Sequence, residues 1–102
     1  MITRILEKDV NCVTRQIGTE TVIVPVAASV ADLRAVYTLN ESATEIWQRL
    51  DGQTTVGRII DTFCLLYDVS PSEAERDVAE FLSILSSAGL IRAKEDPSAL
   101  EA

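Results

Sequence analysis

Apolar residues recur at helical spacing in three separate runs through the second half of the chain. Within each run the apolar positions lie three or four residues apart, which is typical of a helix with one buried face. The pattern therefore predicts three amphipathic helices. Their predicted buried positions are Ala43, Ile46, Trp47 and Leu50 in the first helix, Val56, Ile59, Ile60, Phe63 and Leu66 or Tyr67 in the second, and Ala74, Val78, Phe81, Leu82, Leu85 and Ala88 in the third.

Residues that favour helix ends flank these runs. Side-chain oxygens before a run can accept from the free backbone N–H groups of the first turn, and glycine after a run can take the left-handed conformation that helix ends often need. The predicted starts are Asn40, Thr54 or Thr55, and Ser70, and the predicted ends are Gly52, which follows Asp51, and Gly89.

The first half of the chain instead shows β-branched, strand-like segments. We predict strands at 11–17, 20–26 and 35–39, with a tight turn at Gly18-Thr19 and a loop from 27 to 34. Residues 1–10 fit either an arm or a further extended segment, and 94–102 form a polar tail. The chain thus reads as strands before the junction at 37–52 and helices after it.

This order predicts an α+β fold in which a three-stranded antiparallel sheet is followed by three helices. Such an arrangement is compatible with a winged helix-turn-helix core, although helix pairs with short turns are common in other folds. The chain of 102 residues has the length of one domain. We expect a single domain over 1–102, with an ordered core at about 10–92 and flexible tails.

Composition narrows the possible functions. A net charge of −7 disfavours a nucleic-acid partner, because phosphates would repel the average surface. No apolar run approaches the roughly 20 residues that span a bilayer, and no signal peptide is evident, so we expect a cytoplasmic protein without membrane contact. Cys12 and Cys64 match no metal or redox spacing and are interpreted as reduced, buried thiols.

The sequence offers little for catalysis. It has no histidine, which removes the usual general base and a common metal ligand. Most carboxylates fall on predicted helix starts or solvent faces, and there is no glycine-rich phosphate loop. We therefore predict a protein that is not an enzyme and that holds no cofactor and no metal.

Three binding functions remain open from the residues alone. The third helix would be the recognition helix of a DNA-binding regulator, but four of its five charged positions are acidic: Glu73, Glu75, Arg76, Asp77 and Glu80. A free sheet edge could instead accept an added peptide strand beside a helix. The third possibility is a dimeric scaffold whose edge is covered by its twin, or a monomer whose edge is covered by the N-terminal arm.

Several strings of the sequence together resemble the PqqD-like family of peptide-modification chaperones, named for coenzyme PQQ synthesis protein D. The most specific is Leu-Asn-Glu-Ser-Ala-Thr-Glu-Ile-Trp at 39–47, followed by Leu-Asp-Gly at 50–52. The resemblance continues through 55–56 and 59–60, then 67–70, 77–78, 81–82, 85 and 89–91. Residues 15–18 with 20–22 look like the family's first hairpin. It covers roughly residues 10–92.

The resemblance implies a non-catalytic domain that binds the leader of a ribosomally made precursor peptide. Such a domain presents the leader to a modifying enzyme, often a radical-SAM protein, as in PQQ biosynthesis or a related pathway. The leader would add as a strand to the third predicted strand, against the third helix, with Arg76 as a partner for an acidic leader. The strongly acidic character of that helix suits a basic or apolar leader better. The implied peptide-binding residues are Ala35, Val36, Tyr37, Thr38, Arg76, Val78, Ala79, Glu80, Leu82 and Ser83.

Overall fold

The computed structural model describes residues 3–10, 12–25 and 36–94 of the 102-residue chain. These residues form six strands and three helices. They are β1 (Ile5–Lys8), β2 (Cys12–Ile17), β3 (Glu20–Pro25), β4 (Tyr37–Leu39), α1 (Glu41–Gln48), β5 (Asp51–Thr55), α2 (Val56–Tyr67), α3 (Pro71–Ser87) and β6 (Ile91–Ala93). The predicted α+β fold class is confirmed.

The predicted three-stranded antiparallel sheet is present, with strand order β2-β3-β4. Ile17 pairs with Glu20 across the two-residue turn Gly18-Thr19, and Gly18 has a φ of 62°. Glycine suits this turn, because it adopts a positive φ without the steric cost that a side chain would bring. The third strand begins at Tyr37 rather than at 35, and the predicted loop at 27–34 lies outside the described residues.

A second three-stranded sheet, in the order β5-β1-β6, was not predicted. It shows that the expectation of strands before the junction and only helices after it was wrong. Asp51-Gly52 does not end the first helix, which stops at Gln48, but begins a strand that pairs with β1. These strands are hard to recognise in the sequence because they are short, lack clear alternation, and pair with a segment more than forty residues away.

The helix starts are capped as the sequence predicts. Asn40 Oδ1 accepts from the backbone N–H of Ala43 at 2.9 Å, and Ser70 Oγ accepts from that of Glu73 at 3.2 Å. Thr55, rather than Thr54, caps α2. Each cap satisfies a backbone donor that has no partner within the helix.

One apolar core joins the helices to both sheets, and most of the predicted stripe residues belong to it. Leu66 is exposed, whereas Ala43, Tyr67, Phe81 and Ala88 are only half-buried. The core consists of Ile23, Leu39, Ile46, Trp47, Leu50, Val56, Ile59, Ile60, Phe63, Ala74, Val78, Leu82, Leu85, Leu90 and Ile91. This core fixes the position of α3 relative to β4, the two elements from which the site below is built.

Candidate peptide-binding site

The strand β4 forms one edge of its sheet, and the hairpin turn determines which of its backbone groups are free. In a hairpin with a two-residue loop, the two residues flanking the loop exchange both backbone hydrogen bonds. Along each strand, the backbone N–H and C=O groups of successive residues then point alternately toward and away from the partner strand. Because Ile17 and Glu20 form that pair, Thr21 and Ile23 direct their backbone groups away from β2 and toward β4.

The same alternation continues into β4. Leu39 pairs with Thr21 and Tyr37 with Ile23, so the backbone groups of both β4 residues face β3. The N–H and C=O of Thr38, which lies between them, consequently face away from β3, on the side where no other strand of the described residues pairs with β4. An extended segment alongside β4 would find a donor and an acceptor there, which is the requirement for strand addition.

An apolar cleft of about 410 Å³ lies beside this edge. One wall is β4 with the preceding Val36, and the other wall is α3. Val36 and Ile84, one from each wall, are 55% and 61% exposed, so both offer apolar surface to a ligand. The lining residues are Val36, Tyr37, Thr38, Leu39, Asn40, Ala43, Phe81, Ile84 and Leu85.

A second cleft of about 300 Å³ continues the first one along α3. The two share Asn40, Ala43, Phe81 and Ile84, so they form one groove, which we call the β4–α3 groove. Its far end is more polar than its middle. The residues that line only this end are Ser42, Ile46, Phe63, Asp77 and Glu80.

The structure places the predicted site residues of the strand at this groove. Val36, Tyr37 and Thr38 line its middle and Glu80 lines its far end. Ala35 lies outside the described residues. Whether these positions contact a peptide stays a prediction, but the groove brings them together.

Most of the predicted helix residues lie elsewhere. Val78 is fully buried in the core, and Arg76 is exposed, with its Nε 3.8 Å from the Asp77 carboxylate. Ala79, Leu82 and Ser83 line a separate cleft on the other flank of α3. Each residue turns about 100° around a helix, so assigning the wrong helical phase moves a whole set of side chains to another face.

That separate cleft, of about 240 Å³, lies between α3 and the edge strand β6. Arg4, Leu6 and Val56 contribute to its wall, together with Ser86. It adjoins the sheet that the sequence did not predict. The third helix thus has a cleft along each side of its buried stripe.

Sequence reasoning missed Phe81, Ile84 and Leu85 as groove residues. Ile84 carried a usable signal, because it is a large apolar residue off the stripe formed by Ala74, Val78 and Leu82. A contiguous exposed apolar patch can indicate a contact surface, and Ile84 adds to the apolar lining that Val36 and Phe81 contribute to the groove.

Tyr67, which packs against the groove residue Phe63, has a perturbed pKa. Burial and the nearby carboxylates of Glu45 and Glu41 raise the pKa of the Tyr67 phenol, whose ring packs against Phe63 with a centroid separation of 4.9 Å. The phenol therefore stays neutral at physiological pH.

Residues 3–10, 12–25 and 36–94 hold no group of three or more side chains placed to bind a metal ion together. None of the helices in these ranges combines the length and apolar character needed to cross a bilayer. Cys12 and Cys64 are both half-buried and unpaired by disulfide.

Residues 20–91 match the family described as Coenzyme PQQ synthesis protein D (PqqD), and the chain therefore belongs to that family. The match spans more than two-thirds of the chain and includes β3, β4 and all three helices. A comparison with proteins of curated function found no match.

Two solved structures share the fold. One is TbiB1 in complex with the TbiA(beta) leader peptide, with 23% sequence identity, a TM-score of 0.75, and coverage of 88% of this chain and 99% of that chain. Another is a lasso peptide synthetase B1 complexed with the leader peptide, with 21% identity, a TM-score of 0.72, and coverage of 85% of this chain and 96% of that chain.

Proposed function

We propose that this protein is a non-catalytic chaperone that binds the leader of a ribosomally made precursor peptide and presents it to a modifying enzyme. The family assignment supports this proposal, as do the leader peptides in the names of both structural relatives. The observation that carries it is the open edge of β4 beside an apolar cleft.

The binding mode follows from that edge. The leader adds as a strand next to Thr38, so that backbone pairing contributes affinity and side chains entering the β4–α3 groove set the register. Tyr37 and Leu39 form one wall for these side chains, and Phe81 and Ile84 form the other. Of the site residues expected from the resemblance, we retain Val36, Tyr37, Thr38 and Glu80.

The enzyme partner belongs to the same proposal. A domain that only holds a leader needs a separate protein to modify the core peptide, and a radical-SAM enzyme is the class implied by the family resemblance. The cleft on the other side of α3 stays accessible when a leader fills the β4–α3 groove. That cleft shares no lining residue with the groove, so we expect the leader and the enzyme to bind at the same time.

A DNA-binding function has less support. The charged positions of α3 are all exposed, and four of the five are acidic: Glu73, Glu75, Arg76, Asp77 and Glu80. Such a helix would be repelled by the phosphates that flank the major groove.

The proposal is tested by titrating isotopically labelled protein with leader peptides encoded beside its own gene, and with a DNA duplex in parallel. We expect chemical-shift changes at 36–39 and 81–85 with the peptide and none with the duplex. Shifts produced by the duplex alone would replace this function with that of a regulator.

Proline at position 38 tests the binding mode. Thr38→Pro removes the outward N–H while leaving the pairing with β3 intact, because proline is tolerated at an edge with its nitrogen toward solvent. We expect peptide affinity to fall about tenfold or more, since a hydrogen bond is lost and the proline ring obstructs the added strand. Thr38→Val keeps the N–H and serves as the matched control. Equal affinity of Thr38→Pro and wild type would exclude strand addition at β4.

A further inference from the structure

The β4–α3 groove has a marked asymmetry of charge along its length. Its middle is apolar, whereas its far end carries the carboxylates of Asp77 and Glu80. No lysine or arginine lines either part of the groove among the described residues. A segment lying in the groove therefore meets an apolar wall first and a negative one next.

The two carboxylates are only weakly compensated by the protein itself. Asp77 has one ion pair, with Arg76 at 3.8 Å, and both side chains are well exposed. Glu80 has no ion-pair partner in the described part of the chain. Glu80 is thus the carboxylate most available to a positive charge supplied by a ligand.

Strand geometry relates the two parts of the groove to positions in a peptide. Alternate residues of a strand project to the same face, about 6.7 Å apart. On an added strand, the residues opposite Tyr37 and Leu39 share the face that those side chains occupy, which is directed toward α3. One of them lies beside the apolar middle, and the other lies nearer Asn40 and the acidic end.

Resting on the function proposed above, we propose that the leader recognised by this chain carries a lysine or arginine two residues from a large apolar side chain. The apolar side chain enters the middle of the groove against Phe81 and Ile84, and the basic one pairs with Glu80 and Asp77. Antiparallel addition, which continues the alternation of the β2-β3-β4 sheet, places the basic residue on the N-terminal side of the apolar one.

A displayed library of random twelve-residue peptides, selected on the full chain, tests this inference without knowledge of the natural leader. We expect the recovered peptides to be enriched in a basic residue followed two positions later by Leu, Ile, Phe or Tyr. The affinity of one recovered peptide and of its Lys→Glu counterpart is then measured by fluorescence anisotropy.

Charge exchange provides the decisive comparison. We expect Glu80→Lys to lower the affinity for the basic peptide about tenfold. We also expect this variant to bind the Lys→Glu peptide more tightly than wild type does. Both effects should diminish at high salt, because exposed charges are screened. Glu75→Lys makes the same change of charge on α3 outside the groove lining and should leave both affinities within about twofold.

The outcomes separate this inference from the function on which it rests. Recovered peptides could lose affinity for Thr38→Pro, yet contain no enriched basic residue and bind Glu80→Lys as tightly as wild type. In that case the groove binds peptides, but the inferred preference for a basic residue is wrong. If no peptide is recovered, or if recovered peptides bind Thr38→Pro with the affinity of wild type, the proposed binding mode is wrong. The inferred preference for a basic residue is then wrong as well.

Discussion

A single carboxylate organises the irregular strand β5. Between the pairs Ile5–Thr55 and Glu7–Asp51 the register shifts, so β5 has extra residues that bulge out of the ladder. The side chain of Asp51 spans this bulge. Its Oδ1 accepts from the backbone N–H groups of Gln53 and Thr54, each at 2.9 Å, and its Oδ2 accepts from the Thr54 hydroxyl at 3.1 Å. Gly52 provides the positive φ of 76° that the bulge requires.

Replacing this carboxylate should affect stability in a pH-dependent manner. Backbone hydrogen bonds from Gln53 and Thr54 lower the pKa of Asp51 below the ordinary value of 3.8. A carboxyl group whose pKa is lower in the folded state adds stability that is complete above the unfolded pKa and is lost as pH falls through the folded one. We therefore expect Asp51→Ala to lower the free energy of unfolding by about 1 kcal/mol at pH 7 and by less below pH 3.8.

Urea unfolding followed by fluorescence measures this effect, since Trp47 is buried and is the only tryptophan of the chain. Asp51→Asn is the informative comparison, because it keeps an oxygen acceptor but does not titrate. A destabilisation by Asp51→Ala that stays constant from pH 7 to pH 2.5 would contradict the role of the charged carboxylate.

At the scale of elements, α3 combines two functions on nearly opposite faces. Leu82 is buried in the core, whereas Ile84 is exposed and lines the groove. A helix can serve both purposes because residues two apart are separated by about 200° around its axis.

Substitutions at these two positions should therefore separate stability from binding. Leu82→Ala should lower the free energy of unfolding by about 2–5 kcal/mol, because it leaves a cavity in a packed core. Ile84→Ser should change stability by less than about 0.5 kcal/mol and weaken peptide binding severalfold through lost apolar contact. Urea titration and fluorescence anisotropy provide the two measurements. The opposite assignment of effects would show that the helix face has been misidentified.

In α3, the spacing of apolar residues predicts some features of the helix and not others. The spacing of Ala74, Val78 and Leu82 was sufficient to find the helix and its buried stripe. It did not say which flank of that stripe would lie against β4, because the direction of helix packing depends on contacts distant in sequence. Arg76 and Ser83 were therefore expected at the groove, whereas Phe81 and Ile84 line it.

The two sheets differed in predictability for a related reason. The hairpin at Gly18 is local, so its turn and strands were evident in the sequence. The strands β5 and β6 pair with β1, and the partners lie far apart along the chain. Short strands with distant partners acquire their structure from the tertiary fold rather than from local propensity.

At the scale of the whole molecule, Lys8 connects the second sheet to the first helix. Its ammonium group lies 5.3 Å from the centre of the Trp47 ring and donates to the Leu50 carbonyl at 3.2 Å. Burial lowers the pKa of Lys8, while the nearby Asp51 opposes that shift. The charge thus lies at the contact between β1 and the end of α1.

Removing the charge of Lys8 should destabilise the packing of β1 against the end of α1. Lys8→Met retains most of the apolar stem but loses both the hydrogen bond and the contact with the ring. We expect the free energy of unfolding to fall by about 1–2 kcal/mol, because both interactions are partly shielded from water. Exposed Lys94, whose Nζ donates to the Gly52 carbonyl at 2.8 Å, offers Lys94→Met as a comparison. If the free energy of unfolding fell less in Lys8→Met than in Lys94→Met, the contact with the Trp47 ring would have no special role in stability.

The open edge of β4 also bears on how this protein behaves at high concentration. A strand edge that accepts a foreign peptide has the same unpaired donors and acceptors that drive copies of one chain to stack into aggregates. Many proteins protect such strand edges from pairing. Protecting the edge of β4 in the same way would abolish the proposed leader binding. The surplus of acidic residues, a net −7 on 102 residues, supplies a different protection, because like-charged copies repel before their edges can meet. The acidity that we propose a leader complements thus also keeps copies of the unliganded protein apart in solution.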